Sequence, residues 1–356
     1  MEFGEIQAAP TQISNIREGK LRYRGILLED LVSQSSFEEV VLLLWNGKLP
    51  LAAELKEFSN QIQGECGLDS DWLRKILNLR NFESAIDFLI AALSLVSTGK
   101  NSNHKIFFQL PPLLAAWENN FQKKNLGLLS KNSSIAAYFL NSIRESNASD
   151  LEIVALDKTM LIHADHELNI STFGLRLAAS TGSDFVSSVI AALGILKGPL
   201  HGGASEWVMK TFDQVKDKKH VSAFLDQAFK NKEKIMGFGH LLYKNGDPRA
   251  KALKNIAKNL SAHLNRQVDF EMAEAFESEM LKRKNLHPNI DFYSGCVYRL
   301  LGFRSELGPG VFAMSRMAGW VAHYEEQNSD RRIVLARGLD EKKREDVYIP
   351  LSQRTS

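Results

Sequence analysis

Four short segments of the 356-residue chain set acid/base side chains among glycines or aromatics that let a ligand approach the backbone closely. In the first, Lys197-Gly198-Pro199-Leu200-His201-Gly202-Gly203, the histidine precedes an apolar helical pattern through Trp207, Val208 and Phe212. That order puts His201 at or just before a helix N-terminus, where the helix dipole disfavours imidazolium. A neutral ring there could donate to a developing oxyanion, as enolate chemistry needs, although a capping or buried structural histidine would give the same pattern. In the second, Met236-Gly237-Phe238-Gly239-His240, small neighbours would let His240 meet and polarise a substrate carbonyl; a turn that merely needs glycine is the alternative. In the third, Asn289-Ile290-Asp291-Phe292-Tyr293, apolar flanks should raise the pKa of Asp291 and make it a base toward a weak carbon acid, unless it serves as a helix N-cap.

The fourth, Leu161-Ile162-His163-Ala164-Asp165-His166-Glu167, invites a metal reading, since His163, His166 and Glu167 fall on adjacent helical turns. No third group with metal spacing lies nearby, and a histidine beside acids serves equally to donate to a substrate carboxylate, so no metal is expected. Arg249, nine residues after His240, and Arg316, in Met314-Ser315-Arg316-Met317, carry the fork that suits carboxylates. If they converge, the ligand is a dicarboxylate; singly, each could be a surface ion pair. Residues 230–258 hold eight basic side chains against two acids, enough to meet phosphates, with Lys251, Lys254 and Lys258 better read as a solvated helical face.

These groups must be positioned by helices. Residues 37–44, 85–96, 136–143, 175–196, 253–264 and 272–281 place apolar side chains three and four apart. Strand patterns are confined to residues 21–26 and 347–351, so the fold class is all-α. Breakers crowd between residues 198 and 310, which suggests a large helical domain, 1–200 and 300–356, with a small domain, 201–299, inserted into it. Lys and Arg number 44 against 42 Asp and Glu, and a formal net charge of +2 gives no global field for nucleic acid. Two distant cysteines, Cys66 and Cys296, suggest neither disulfides nor zinc and fit a reducing cytoplasm. Glu2 and Glu5 occupy the start where a signal peptide would be basic, and no apolar run is long enough to span a membrane.

Taken in order, the segments resemble citrate synthase, in its bacterial citrate synthase and 2-methylcitrate synthase branch. The strings "LIHADHELNISTF", "KGPLHGGASEWVM", "MGFGHLLYKNGDPRAKAL", "NIDFYSGCVYRLLGF" and "MSRMAGWVAHYEEQ" carry the likeness, with "GKLRYRGILLEDLVSQSSFEEVVLLLWNGKLP" matching the N-terminal region. The resemblance implies an all-α homodimer with a large and a small domain that close over acyl-CoA and oxaloacetate, the CoA thioester being a substrate rather than a cofactor. It implies that Asp291 deprotonates acetyl-CoA, His201 stabilises the enolate, and His240 polarises the ketone and protonates the alkoxide. His166, Arg249, Arg316 and Phe312 then match the oxaloacetate site, and Lys234, Ile235, Met236, Gly237 and Lys244 the CoA segment.

Four places depart from the family pattern. Leu335-Ala336-Arg337 stands where Arg-Pro-Arg is usual, so a substrate arginine from across the dimer is missing unless Arg337 or a shifted Arg332 replaces it. Loss of such a charge-assisted bond, about 1.5 to 3 kcal/mol, weakens binding by roughly tenfold or more. Ser84-Ala85-Ile86-Asp87 replaces His-Pro-Met-Asp, Leu241 replaces an arginine, and residues 307–311 read Leu-Gly-Pro-Gly-Val in place of a Phe-Thr-Pro pattern. The expected activity is acetyl-CoA plus oxaloacetate and water to citrate and CoA. The alternatives are a 2-methylcitrate synthase using propionyl-CoA, a longer acyl-CoA or another 2-oxo acid, and a non-catalytic paralogue that binds CoA or a dicarboxylate.

Overall fold

The computed structural model describes residues 9–66, 76–78, 82–96, 103–122, 134–198, 201–335 and 348–354. Near the start, β1 (Ser14–Arg17), β2 (Lys20–Tyr23) and β3 (Ile26–Leu27) form an antiparallel sheet with Ser14 opposite Tyr23 and Arg22 opposite Leu27. The single strand expected over 21–26 is thus two, because Arg24 takes a left-handed φ of 48° and turns the chain. The strand expected over 347–351 is absent: residue 347 lies outside the described residues, residues 348–350 carry no regular element, and Leu351–Gln353 is a 3-10 turn. Pro350 gives the reason, since it has no N–H for a ladder.

Helices make up the rest. The first group is α1 (Leu28–Gln34), α2 (Phe37–Asn46), α3 (Ala52–Glu65), α4 (Ala85–Ser94), α5 (Asn103–Phe121), α6 (Ile135–Ile143), α7 (Asp150–His163), α8 (Ile170–Ser180) and α9 (Phe185–Leu196). Short polar residues start them: Ser36 and Ser149 form capping boxes with Glu39 and Glu152, and Asn169 and Asp184 accept from Thr172 and Ser187 N–H groups. The Asp184 cap splits the apolar run 175–196 into two helices where one was expected.

Then come α10 (Ala204–Val215), α11 (Val221–Lys230), α12 (Pro248–His263), α13 (Gln267–Lys284) and α14 (Ile290–Leu300). Here α14 packs on α10, α12 and α13, and α11 packs on α13. This group meets the remainder through α12 and α14 against α7, and through α10 against α15 (Gly308–Asp330). Helix α15 is buried around most of its circumference, with Phe312, Met317 and Trp320 inside, and it contacts α2, α4, α5, α7, α8 and α9. A helix apolar on all sides belongs at the centre of a domain, and Arg316 is carried into that centre with it. Among the described residues no helix is long and apolar enough to cross a membrane.

Candidate active site

Helix α14 begins at a cap, but the cap is Asn289, whose side chain accepts from the Asp291 N–H at 3.0 Å. Asp291 therefore stands inside the first turn with its carboxylate free of capping, and that carboxylate has no hydrogen-bond partner among the described residues. The loop bearing His240 is sewn to the same helix start. Asn289 N–H donates to the Gly237 carbonyl at 2.9 Å, the Asn289 amide to the Gly239 carbonyl at 3.0 Å, and Gly239 N–H to the His287 carbonyl at 2.8 Å. Phe238 packs on Phe292 with ring centroids 4.5 Å apart.

Asp247 ties three parts together. It caps α12 through the Arg249 N–H at 3.0 Å, grips the Arg249 guanidinium at 3.0 and 2.8 Å, and accepts from the Ile290 N–H at 3.2 Å. Arg249 is thereby aimed: its Nη2 lies 3.1 Å from His240 Nε2. The Leu242 N–H faces His240 Nδ1 at 3.1 Å, so both ring nitrogens face donors, and a neutral ring accepts from only one of them. With Nδ1 accepting from Leu242, Nε2–H and the Arg249 donor are left facing one another, and an electron-rich oxygen seated between them would accept from both. The His166 and His240 rings lie 5.6 Å apart, and Tyr243 packs against His240 while its hydroxyl meets His166 Nε2 at 3.1 Å.

On the other side, His201 occupies the turn just before α10, with Nε2 2.9 Å from Ser171 Oγ. Phe312 of α15 joins the clusters, 6.3 Å from the His201 ring and 4.9 Å from the Arg316 guanidinium. Arg316 donates through Nε to the His163 carbonyl at 2.7 Å, and its buried Nη1 has no partner. Among the described residues it makes no ion pair. Arg249 and Arg316 are 3% and 1% exposed, which removes the surface ion-pair reading.

The electrostatics separate the acids from the bases. Burial pushes Asp291 up to about 7, reinforced by Asp247 and opposed by Arg249 and Arg316, although the side chain keeps partial solvent access. Burial, then Arg316, lowers His201 to about 4; burial, then Arg249, lowers His240 to about 4. The neutral His201 expected from a helix dipole is thus found with a different cause. Burial also drives His166 well below its ordinary value and His163 to about 3. His163 Nδ1 lies 2.7 Å from the Thr159 carbonyl, so its only proton points into its own helix. Among the described residues no cluster of three or more His, Cys, Asp or Glu could hold a metal.

A cavity of about 200 Å³ opens beside His240, lined also by Tyr243, Lys244, Asp247, Leu286 and His287. Gly237 is buried, Ile235 and Met236 are half-buried, and Lys234 and Lys244 are exposed. Leu335 is 82% exposed, Arg332 pairs with Asp330 at 2.6 Å, and Arg337 lies outside the described residues. Sequence reasoning missed Ser171, Tyr243 and Asn289 and treated Asp247 only as a breaker. The Asn two positions before Asp291 was a readable cap signal; Ser171 gave none.

A family model described as "Citrate synthase, C-terminal domain" matches residues 2–337. The chain is similar to citrate synthase 2 of Bacillus subtilis, 36% identical over 98% of this chain and 97% of that protein. It is also similar to 2-methylcitrate synthase 1 of Corynebacterium glutamicum, 33% identical over 97% and 96%. Among solved structures, a ternary complex of carboxymethyl coenzyme A and oxaloacetate with the citrate synthase of Thermoplasma acidophilum aligns with TM-score 0.86 and 30% identity, over 98% of each chain. The citrate synthase of Thermotoga maritima aligns with TM-score 0.87 and 32% identity, over 99% and 98%.

Proposed function

The chain belongs to the citrate synthase family, and on that premise we propose that it condenses acetyl-CoA with oxaloacetate and water to give citrate and CoA. The observation that carries this reading is geometric: Asp247 and Arg249 tie His240 to the start of the helix bearing Asp291, and Phe312 lies against both His201 and Arg316. Asp291 pushed up to about 7 beside imidazoles lowered to about 4 fits a division of labour between base and neutral donors. Asp291 takes a proton from the acyl α-carbon. His201 donates from Nδ1 to the enolate oxygen, which requires the Ser171 hydroxyl to give up its bond to Asn169 Oδ1, 2.8 Å away, and turn its proton toward Nε2. The His240 Nε2–H and Arg249 polarise the ketone, and the enolate carbon attacks it. His240 then gives up its proton to the new alkoxide, and water cleaves the citryl thioester.

Arg316, a buried cation with a free donor, supports a carboxylate ligand at that point, with His166 and Phe312 beside it. Lys244 at the cavity and the 234–237 segment suit the CoA phosphates and pantetheine arm. No cofactor is needed beyond the thioester substrate. We read residues 201–299 as the unit that closes on the remainder to exclude water, the assembly as a homodimer, and the location as cytoplasmic, in keeping with two buried free thiols.

The 33%-identical relative supports a second reading, turnover of propionyl-CoA to 2-methylcitrate. One methylene in an apolar pocket is worth about 1 to 3 kcal/mol, so a ratio of specificity constants decides between them. With oxaloacetate fixed, kcat/KM should be higher for acetyl-CoA than for propionyl-CoA; the reverse order would make the protein a 2-methylcitrate synthase.

A further inference from the structure

Tyr243 touches the oxaloacetate cluster without a role in the chemistry above. Its side chain is 5% exposed, its ring packs against His240 with centroids 4.7 Å apart, and the Arg249 guanidinium lies 5.6 Å from its centre. Among the described residues the hydroxyl has one hydrogen-bond partner, His166 Nε2 at 3.1 Å. A buried phenol with a single available acceptor gives its proton to that acceptor. The neutral His166 ring carries one proton, which then resides on Nδ1, and Nδ1 has no partner among the described residues.

We infer that Tyr243 is a positioning residue that fixes the His166 tautomer, so that Nδ1–H is presented as a donor to a substrate carboxylate. Which nitrogen of a histidine is protonated is set by the bond the other nitrogen makes. The contact also ties the 236–247 loop to the segment after α7, so the donor is oriented only while the loop is seated. This inference rests on the condensing reading for its substrate, but its structural half stands apart from turnover.

Tyr243→Phe keeps the ring against His240 and deletes only the hydroxyl. Nitrogen-15 spectra of histidine-labelled, ligand-free enzyme, with His166 assigned by its loss in His166→Asn, should show Nδ1 protonated in the wild type and a shift toward Nε2–H in the variant. In steady state the KM for oxaloacetate should rise about five- to tenfold, with kcat within about twofold and the KM for acetyl-CoA unchanged. The same tautomer in both proteins, or an unchanged or lower KM for oxaloacetate in the variant, overturns the role of Tyr243. Absence of oxaloacetate-dependent thiol release in the wild type would instead defeat the condensing reading, and the spectra alone would then judge the tautomer.

Discussion

A carboxylate near 7 is a stronger base than an ordinary one and is still substantially ionised at neutral pH. Asp291 reaches that value because burial strips water from its charged form faster than Arg249 and Arg316 restore it. The base works deprotonated, so kcat/KM should climb as pH rises through about 7 and level off above it. His201 and His240, both lowered to about 4, stay neutral over that rise and should add no second limb. A profile from about pH 5 to pH 9 checks this, and a flat one would remove Asp291 as the titrating base. The same shift bears on stability. Since the native state holds the Asp291 proton more tightly than the unfolded chain, the group's contribution to stability falls as pH rises from about 4 to about 7. Asp291→Asn should therefore raise the Tm at about pH 8 and leave it nearly unchanged at about pH 4, in thermal melts of both proteins.

The loop and helix starts that aim these groups have little slack. Gly237 has φ +87°, and a Cβ there would stand 2.9 Å from both Phe292 Cβ and Val208 Cγ2. Gly237→Ala should destabilise the protein by about 1 to 3 kcal/mol and lower kcat, because the loop bearing His240 would be pushed off the helix bearing Asp291. Chemical denaturation and initial rates measure the two effects; wild-type values for both would show that the close approach is unimportant. The contrast between legible and hidden residues follows from the same packing. His201, His240 and Asp291 stand among glycines and aromatics in their own segments, so local sequence marks them. Asp247 and Ser171 act on residues 43 and 30 positions away, and only the folded chain brings them there. Helical periodicity is likewise local and gave the fold class, whereas the strand pattern at 347–351 ignored Pro350.

At the scale of the molecule, Ile333, Leu335, Tyr348 and Leu351 are 70%, 82%, 78% and 77% exposed, an unusual display for large apolar side chains in a lone chain. The proposed homodimer gives them a surface to meet. Light scattering should return the mass of two chains, and Leu335→Ser with Leu351→Ser should shift the equilibrium toward one; a single-chain mass for the wild type at all concentrations would remove the dimer. Arg316 is the other feature that makes sense only when the parts are assembled, since α15 carries a buried cation whose carboxylate must arrive from outside. The decisive measurement is thiol release from acetyl-CoA, with and without oxaloacetate, by the wild type and by Asp291→Asn. Release that depends on oxaloacetate in the wild type, and falls by about 10² to 10⁴ in a variant that still binds oxaloacetate, is the expected result. Release that ignores oxaloacetate, or survives intact in Asp291→Asn, would contradict a condensing site built on this carboxylate.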